Sequence, residues 1–166
     1  MTELKRNPDV YRANVGLALF STAGHVFLGR RVNSKGAFQW QMPQGGIDPG
    51  ESPTEAAFRE LEEEVGISPN LVSVLEQTDD WLYYDFPREL KKRLPGPYVG
   101  QRQKWFALRF KGSDSDIRLD LHKPEFDAWR WGRLDHIPPL IIPFKREIYE
   151  DLTVRFAKWT QQIPAS

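Results

Sequence analysis

Gly45-Gly46-Ile47-Asp48-Pro49-Gly50-Glu51-Ser52-Pro53-Thr54-Glu55-Ala56-Ala57-Phe58-Arg59-Glu60-Leu61-Glu62-Glu63-Glu64-Val65-Gly66-Ile67 reads as a glycine-rich loop over 45–50 followed by a helix over 52–65 whose two ends are both marked. Ser52 suits the N-cap, and Glu55 three residues on completes a capping box. Pro53 takes the first helical position, where its missing N–H costs nothing. Gly66 is a natural C-terminal stop, with Pro69 beyond it. On a helical wheel Glu60, Glu63 and Glu64 share one face, while Phe58, Leu61 and Val65 share another that can enter a core. Like charges four apart destabilise an isolated helix by about 0.2–0.5 kcal/mol per pair, so this face wants a cation. Its donors are all oxygen, which suits Mg²⁺ or Mn²⁺ better than zinc or copper. A solvated acidic face is the plain alternative. Against it stand the glycines, which let backbone approach a ligand, and Arg59, which can hold a carboxylate in place.

Outward from this helix the chain alternates short apolar runs with turn residues. Val15–Phe20 and Val26–Leu28 read as a β-hairpin around Ser21-Thr22-Ala23-Gly24. Residues 30–38 read as a loop and 40–43 as a short extended piece. Residues 72–78, 81–86, 104–110 and 126–131 read as strands. The segment 87–100 carries three prolines and a basic cluster, Arg88, Lys91, Lys92 and Arg93. It reads first as a solvated loop or broken helix and second as a surface that steers RNA. Pro143 opens a final helix with Phe144, Ile148, Leu152, Phe156 and Trp159 on one stripe. Strands before, between and after two helices make the class α+β, a mixed α/β architecture.

Composition narrows the field. The chain has 166 residues, enough for one domain with its own core, with about 1–8 and 161–166 expected as loose termini. Its 23 Lys and Arg balance 23 Asp and Glu, which excludes a uniformly basic nucleic-acid binder and an acidic disordered tail. With no cysteine there is no disulfide, thiolate metal site or cysteine nucleophile. No apolar run approaches the roughly 20 residues that span a bilayer, and the start has no signal-peptide pattern. The expected location is the cytoplasm, without membrane contact. His25, His122 and His136 have no metal-like spacing.

Gly45, Glu51, Arg59, Glu60, Leu61, Glu63, Glu64, Gly66 and Ile67 match every fixed position of the Nudix box. The chain therefore resembles the Nudix hydrolases. That resemblance implies a mixed β-sheet sandwiched between helices, and hydrolysis of a nucleoside diphosphate linked to another group. It implies metal ligation by Glu60, Glu63 and Glu64, an orienting role for Arg59, and a structural role for Glu51 at the helix start. Gly45, Gly46 and Gly66 belong to the same motif.

The resemblance extends over 11–156. Tyr11-Arg12-x-Asn14-Val15-Gly16, Trp40-Gln41-x-Pro43-Gln44-Gly45-Gly46, Gly100-Gln101-x-Gln103-Lys104-Trp105-Phe106, Pro124-Glu125-Phe126-Asp127-x-Trp129-Arg130-Trp131 and Phe144-Lys145-Arg146 resemble the bacterial RNA 5′-pyrophosphohydrolase branch. That branch is close to the dinucleoside tetraphosphate hydrolases. The implied substrate is 5′-phosphorylated RNA or a nucleoside polyphosphate. Glu125 is then a further metal ligand or base. Arg31, Gln39, Gln103, Phe144 and Lys145 align with a pocket for the second nucleotide, Arg31 and Phe144 as a base sandwich. Arg30, Arg31, Lys104 and Lys145 are candidate phosphate contacts, and Tyr83 with Tyr84 a candidate wall. The readings to separate are an RNA 5′-pyrophosphohydrolase that primes RNA decay, an asymmetric diadenosine tetraphosphate hydrolase, and a nucleotide-binding module without catalysis. The sequence leaves the oligomeric state open.

Overall fold

The structure is a computed structural model and describes residues 6–163. Its centre is a pair of long parallel strands. β1 (Tyr11–Phe20) runs beside β7 (Gly100–Phe110), from Tyr11 opposite Gly100 to Phe20 opposite Arg109. Residues 14–20 and 105–110 are buried on both faces, as a strand covered by helices on each side requires. The other pairings are antiparallel, so the sheet is mixed. β2 (Val26–Arg31) pairs with β8 (Phe126–Gly132) and with β3 (Trp40–Gln41). β4 (Gln44–Gly46) pairs with the first half of β1. β5 (Val72–Gln77) and β6 (Leu82–Asp85) share the far edge of β7.

Strand alternation divides the core in two. On one face Val15, Leu17, Leu19, Phe27, Phe106 and Leu108 receive α1 (Pro53–Val65) through Ala56, Ala57, Leu61 and Val65. On the other, Ala18, Phe20, Val26, Leu28 and Trp105 receive α3 (Arg146–Arg155) through Ile148, Tyr149 and Leu152. The sheet is thus sandwiched between helices. No helix among the described residues is long and apolar enough to cross a membrane.

Several elements differ from the sequence reading. The β1–β2 hairpin exists at its turn, but the only pair is Phe20 with Val26, and β1 spends its length against β7. Gly45 and Gly46 are not loop but strand β4, where missing side chains admit close neighbours. β7 begins at Gly100, because its polar first residues hide the strand from an alternation count. Within 87–100 a single helical turn forms, α2 (Arg88–Lys91). Pro143–Lys145 is a 3-10 turn, so the last helix begins at Arg146. Residues 1–5 and 164–166 of the expected loose termini lie outside the described residues; Arg6, just inside, bonds Asp85 at 2.9 Å.

Candidate active site

α1 has the ends its sequence marks. Glu55 N donates to Ser52 Oγ at 3.1 Å, and Ser52 N donates back to Glu55 Oε1 at 3.3 Å. Gly66 closes the helix with φ of 74°, a left-handed conformation that glycine adopts at no steric cost, and its N–H reaches Glu62 O. With Leu61 and Val65 fixed against the sheet, the next stripe of the helix points along the sheet's edge toward β4. Glu60 and Glu64 lie there at 8% and 7% exposure, values charged side chains rarely reach without a partner. Glu63 is more open. Glu60, Glu63, Glu64 and Glu125 line one hollow of about 410 Å³ with Gly45, Gly46 and Lys123.

Arg59 organises this acidic set. It grips Glu51 bidentately, Nε to Oε2 at 2.8 Å and Nη2 to Oε1 at 2.9 Å. Its Nη1 donates to Glu60 Oε1 at 2.7 Å and to Glu63 Oε2 at 3.2 Å, and Nη2 to the Gly46 carbonyl at 2.8 Å. One guanidinium therefore ties loop, strand and two helix carboxylates together. The Arg59 hydrogen bonds, with the Asp48 N–H, hold the Glu51 carboxyl down at about 2. Glu60 is pushed up by burial, with Arg59 opposing. Glu64 is pushed well up, first by burial and then by the charges of Glu60 and Glu125. Its Oε2 is buried and has no hydrogen-bond partner.

Does this set fit a divalent metal? As placed, no three His, Asp or Glu among the described residues form a ready metal cluster, and Glu60 is turned to Arg59. Yet the donors are all oxygen, negative charge is in excess, and a buried carboxylate oxygen on Glu64 has no hydrogen-bond partner. Gly45 keeps the space clear: a Cβ there would lie 2.0 Å from the Glu60 carboxylate carbon. Those features fit a hard divalent cation.

β4 joins this hollow to a second group of residues. Gly45 faces Glu60, so by alternation Gln44 faces the other way. Its side-chain oxygen accepts from Lys145 Nζ at 3.3 Å. Lys145 also reaches Gln41 Oε1 at 3.4 Å and stands 5.7 Å from the centre of the Tyr84 ring and 6.0 Å from that of Phe144. Burial, aided by the Arg31 charge, lowers the Lys145 ammonium to about 8, while Glu64 pulls it back up. Phe144 packs on Tyr84 with centroids 5.6 Å apart. Arg31 is positioned by the Phe38 carbonyl, which accepts from Nη2 at 2.8 Å. Gln103 is buried beneath, its amide donating to Asn14 and its oxygen accepting from Trp105 Nε1, both at 2.9 Å.

Not every predicted residue comes to this place. Tyr83 projects from the opposite face of β6, edge-on to Tyr11 at 4.9 Å and beside Arg6. It is Tyr84 that meets Lys145 and Phe144. Lys104 is drawn to the Asp79 carbonyl and stands 5.0 Å from the centre of the Trp81 ring. Arg30 pairs with Asp127 at 2.7 Å. The Gln39 amide is occupied by the Gly36 carbonyl in the 32–39 loop. Two residues beside the cleft belong to the sequence motifs but carry no site role in the sequence reading. One is Gln44. The other is Arg12, whose guanidinium lies over Gly46, where a Cβ would come within 2.6 Å of Nη2. The signal for both was the strand period, which needs the β4–β1 register to be read.

The family model for the NUDIX domain matches residues 10–152. The chain belongs to the Nudix family. Nudix hydrolases act on phosphoanhydride bonds and generally use a divalent metal, and this chain is a hydrolase of that kind. Its Nudix box is the 45–67 segment that carries Arg59 and the four carboxylates Glu51, Glu60, Glu63 and Glu64. The chain is 51% identical to an RNA pyrophosphohydrolase of Acidiphilium cryptum over 154 residues, covering 91% of this chain and 93% of that one. It is also 51% identical to one of Rhodospirillum rubrum over 156 residues, covering 93% and 92%. Among solved structures it is similar to the E. coli dihydroneopterin triphosphate pyrophosphohydrolase, with a TM-score of 0.68 at 20% identity over 88% of this chain and 99% of that one. A C. elegans Ap4A hydrolase matches with a TM-score of 0.60 at 19% identity over 87% and 98%. These two likenesses establish the fold alone.

Proposed function

We propose that this Nudix enzyme is an RNA 5′-pyrophosphohydrolase. It hydrolyses the phosphoanhydride at a 5′-triphosphate or 5′-diphosphate RNA end and leaves a 5′-monophosphate, which opens the transcript to decay. The observation that carries the reading is the identity of about half to proteins named RNA pyrophosphohydrolase across nine-tenths of both chains. Similarity confined to residues 45–67 would not reach that extent.

The roles follow from the placement. Glu60, Glu63, Glu64 and Glu125 would hold Mg²⁺ or Mn²⁺, which when bound neutralises phosphate charge and acidifies water for attack on phosphorus. Arg59 keeps Glu60 and Glu63 in register through its grip on Glu51 and Gly46. Lys145, Arg31 and Arg12 supply positive charge for the polyphosphate, and its arrival raises the Lys145 pKa so that the ammonium stays charged. Phe144, backed by Tyr84, offers a ring on which the second base stacks, with Arg31 opposite. Gln44 presents an amide between the two halves. Gln103 acts from below, by fixing Asn14 and Trp105 under this surface. An RNA substrate supports a cytoplasmic location.

The test is product identification. Single-stranded 5′-triphosphorylated RNA is incubated with protein and Mg²⁺, with and without a chelator, and the RNA ends are resolved by chromatography. The reading predicts metal-dependent conversion to 5′-monophosphate ends. Intact RNA ends under conditions where a nucleoside polyphosphate is cleaved would overturn it.

A further inference from the structure

Beyond Phe144 the cleft continues. A groove of about 670 Å³ runs between α2 and the Pro143–Lys145 turn, lined by Pro87, Glu89, Leu90, Arg93, Ile142 and Phe144. The volume is that of a small-molecule site. Its floor is mostly apolar side chain, open to solvent. Phe144 belongs to both places: it packs on Tyr84 in the cleft and forms one wall of the groove. Beside the groove, α2 and its extension carry the densest run of positive charge near the cleft, Arg88, Lys91, Lys92 and Arg93, all exposed, in a chain of zero net charge; Arg93 lines the groove, and Arg88, Lys91 and Lys92 stand with Phe86 around a neighbouring hollow. Glu89 is the one acid among them, 3.9 Å from Lys92. Among the described residues Arg88, Lys91 and Arg93 have no carboxylate partner and no side-chain hydrogen bond; three cations left without counter-ions on a 4-residue helical turn and its extension do nothing for the fold.

We infer that this groove receives the RNA strand beyond its second nucleotide, the bases on the apolar floor and the phosphates on Arg93 and then, across α2, on Arg88, Lys91 and Lys92. The inference rests on the functional reading given above. Single-strand sites combine a surface on which bases stack with a line of cations that follows the backbone, and both are present here, continuous with the place where the strand's 5′ end is held. An acidic protein segment matches the charge but not the continuity with Phe144. A dinucleoside polyphosphate is too short to use the groove, so the groove favours a longer ligand without changing the chemistry.

The experiment is a length series: initial rates on single-stranded 5′-triphosphorylated RNAs of two, three, five and eight nucleotides, with Mg²⁺, for wild type and for the double variant Lys91→Glu/Arg93→Glu. Wild-type kcat/KM is expected to rise at least tenfold from two to five nucleotides. The double variant is expected to keep the dinucleotide rate, lose most of the rise, and show a shallower salt dependence on the longer RNAs. A flat wild-type profile overturns the inference, as does a rise that survives in a folded variant. If the double variant does not fold, the single variants Arg88→Ala and Lys91→Ala, each on an exposed side chain, are expected to lose part of the rise and carry the same test. Cleavage of the dinucleotide with no length dependence defeats the groove alone. No cleavage of any RNA defeats the functional reading with it.

Discussion

Gly45→Ala separates folding from chemistry at one atom. Gly45 lies in β4 without a positive φ, so alanine imposes no backbone strain. The new methyl, however, would sit 2.0 Å from the Glu60 carboxylate carbon and 2.3 Å from both its oxygens. An ordinary contact is about 3.4 Å, so the carboxylate must retreat by about 1.4 Å. It is the far end of a flexible side chain, so the fold gives way cheaply. The stability loss is bounded by the charge-assisted Arg59–Glu60 hydrogen bond, about 1.5–3 kcal/mol, or about 3–12 °C in Tm for a chain of this size. Misplacing a group at a reacting centre by 1 Å costs about 100-fold, near 2.7 kcal/mol. The assay pairs kcat/KM on 5′-triphosphorylated RNA with thermal unfolding. Gly50→Ala is the control: its φ of 80° makes alanine costly, by about 1–2 kcal/mol, but its Cβ meets nothing within 4 Å. The expected pattern is a folded Gly45→Ala enzyme with a large activity loss, and a Gly50→Ala enzyme with a comparable Tm loss and little activity loss. A folded Gly45→Ala enzyme with wild-type kcat/KM would refute the placement of Glu60 at the working end of the site.

Glu64→Gln removes a buried charge that repels Glu60 and Glu125, so metal-free Tm should hold or rise while activity falls at least about 100-fold, near 2.7 kcal/mol; near-normal turnover would sink the ligand assignment. The Glu51 carboxyl is held at about 2 against an ordinary 4.5, so its contribution to stability is complete above pH 4.5 and lost as pH falls toward 2. Denaturant titrations should therefore show the advantage of wild type over Glu51→Gln shrinking between pH 6 and pH 3, and an unchanged gap contradicts the pairing with Arg59. Tyr149→Phe leaves the buried Met42 N–H, which donates to Tyr149 Oη at 3.1 Å, without a partner. That should cost about 1–3 kcal/mol and lower Tm by several degrees; an unchanged Tm would mean the N–H finds another acceptor.

How legible was this in the chain? α1 was fully so, because its determinants are local: Ser52, Pro53, Glu55 and Gly66 each act within one turn, and the structure shows all four at work. The acidic stripe follows from the same periodicity. What depends on distant pairing was hidden. Val15–Leu19 is apolar throughout, which marks a strand buried on both faces but does not name Gly100–Phe110 as its parallel partner. Gly45 and Gly46 carry no side chains to alternate, so a strand looked like a loop. Period two placed Tyr83 and Tyr84 on opposite faces without saying which one meets Lys145. Gln103 aligns with the second-nucleotide pocket, but its 1% exposure comes from Asn14 and Trp105, which satisfy its amide and which the sequence does not name as partners. The groove between α2 and Phe144 needs α2 to exist first, and the three prolines in 87–100 leave loop and broken helix equally open there.

The central claim is that an RNA 5′ end, rather than a dinucleoside polyphosphate, is the substrate this cleft is shaped for. The direct test is a side-by-side measurement of kcat/KM with Mg²⁺ on 5′-triphosphorylated RNA, 5′-diphosphorylated RNA and diadenosine tetraphosphate, with products resolved. The account predicts at least a tenfold preference for one of the RNA ends, about 1.4 kcal/mol of extra transition-state binding. A preference of that size for diadenosine tetraphosphate would contradict it.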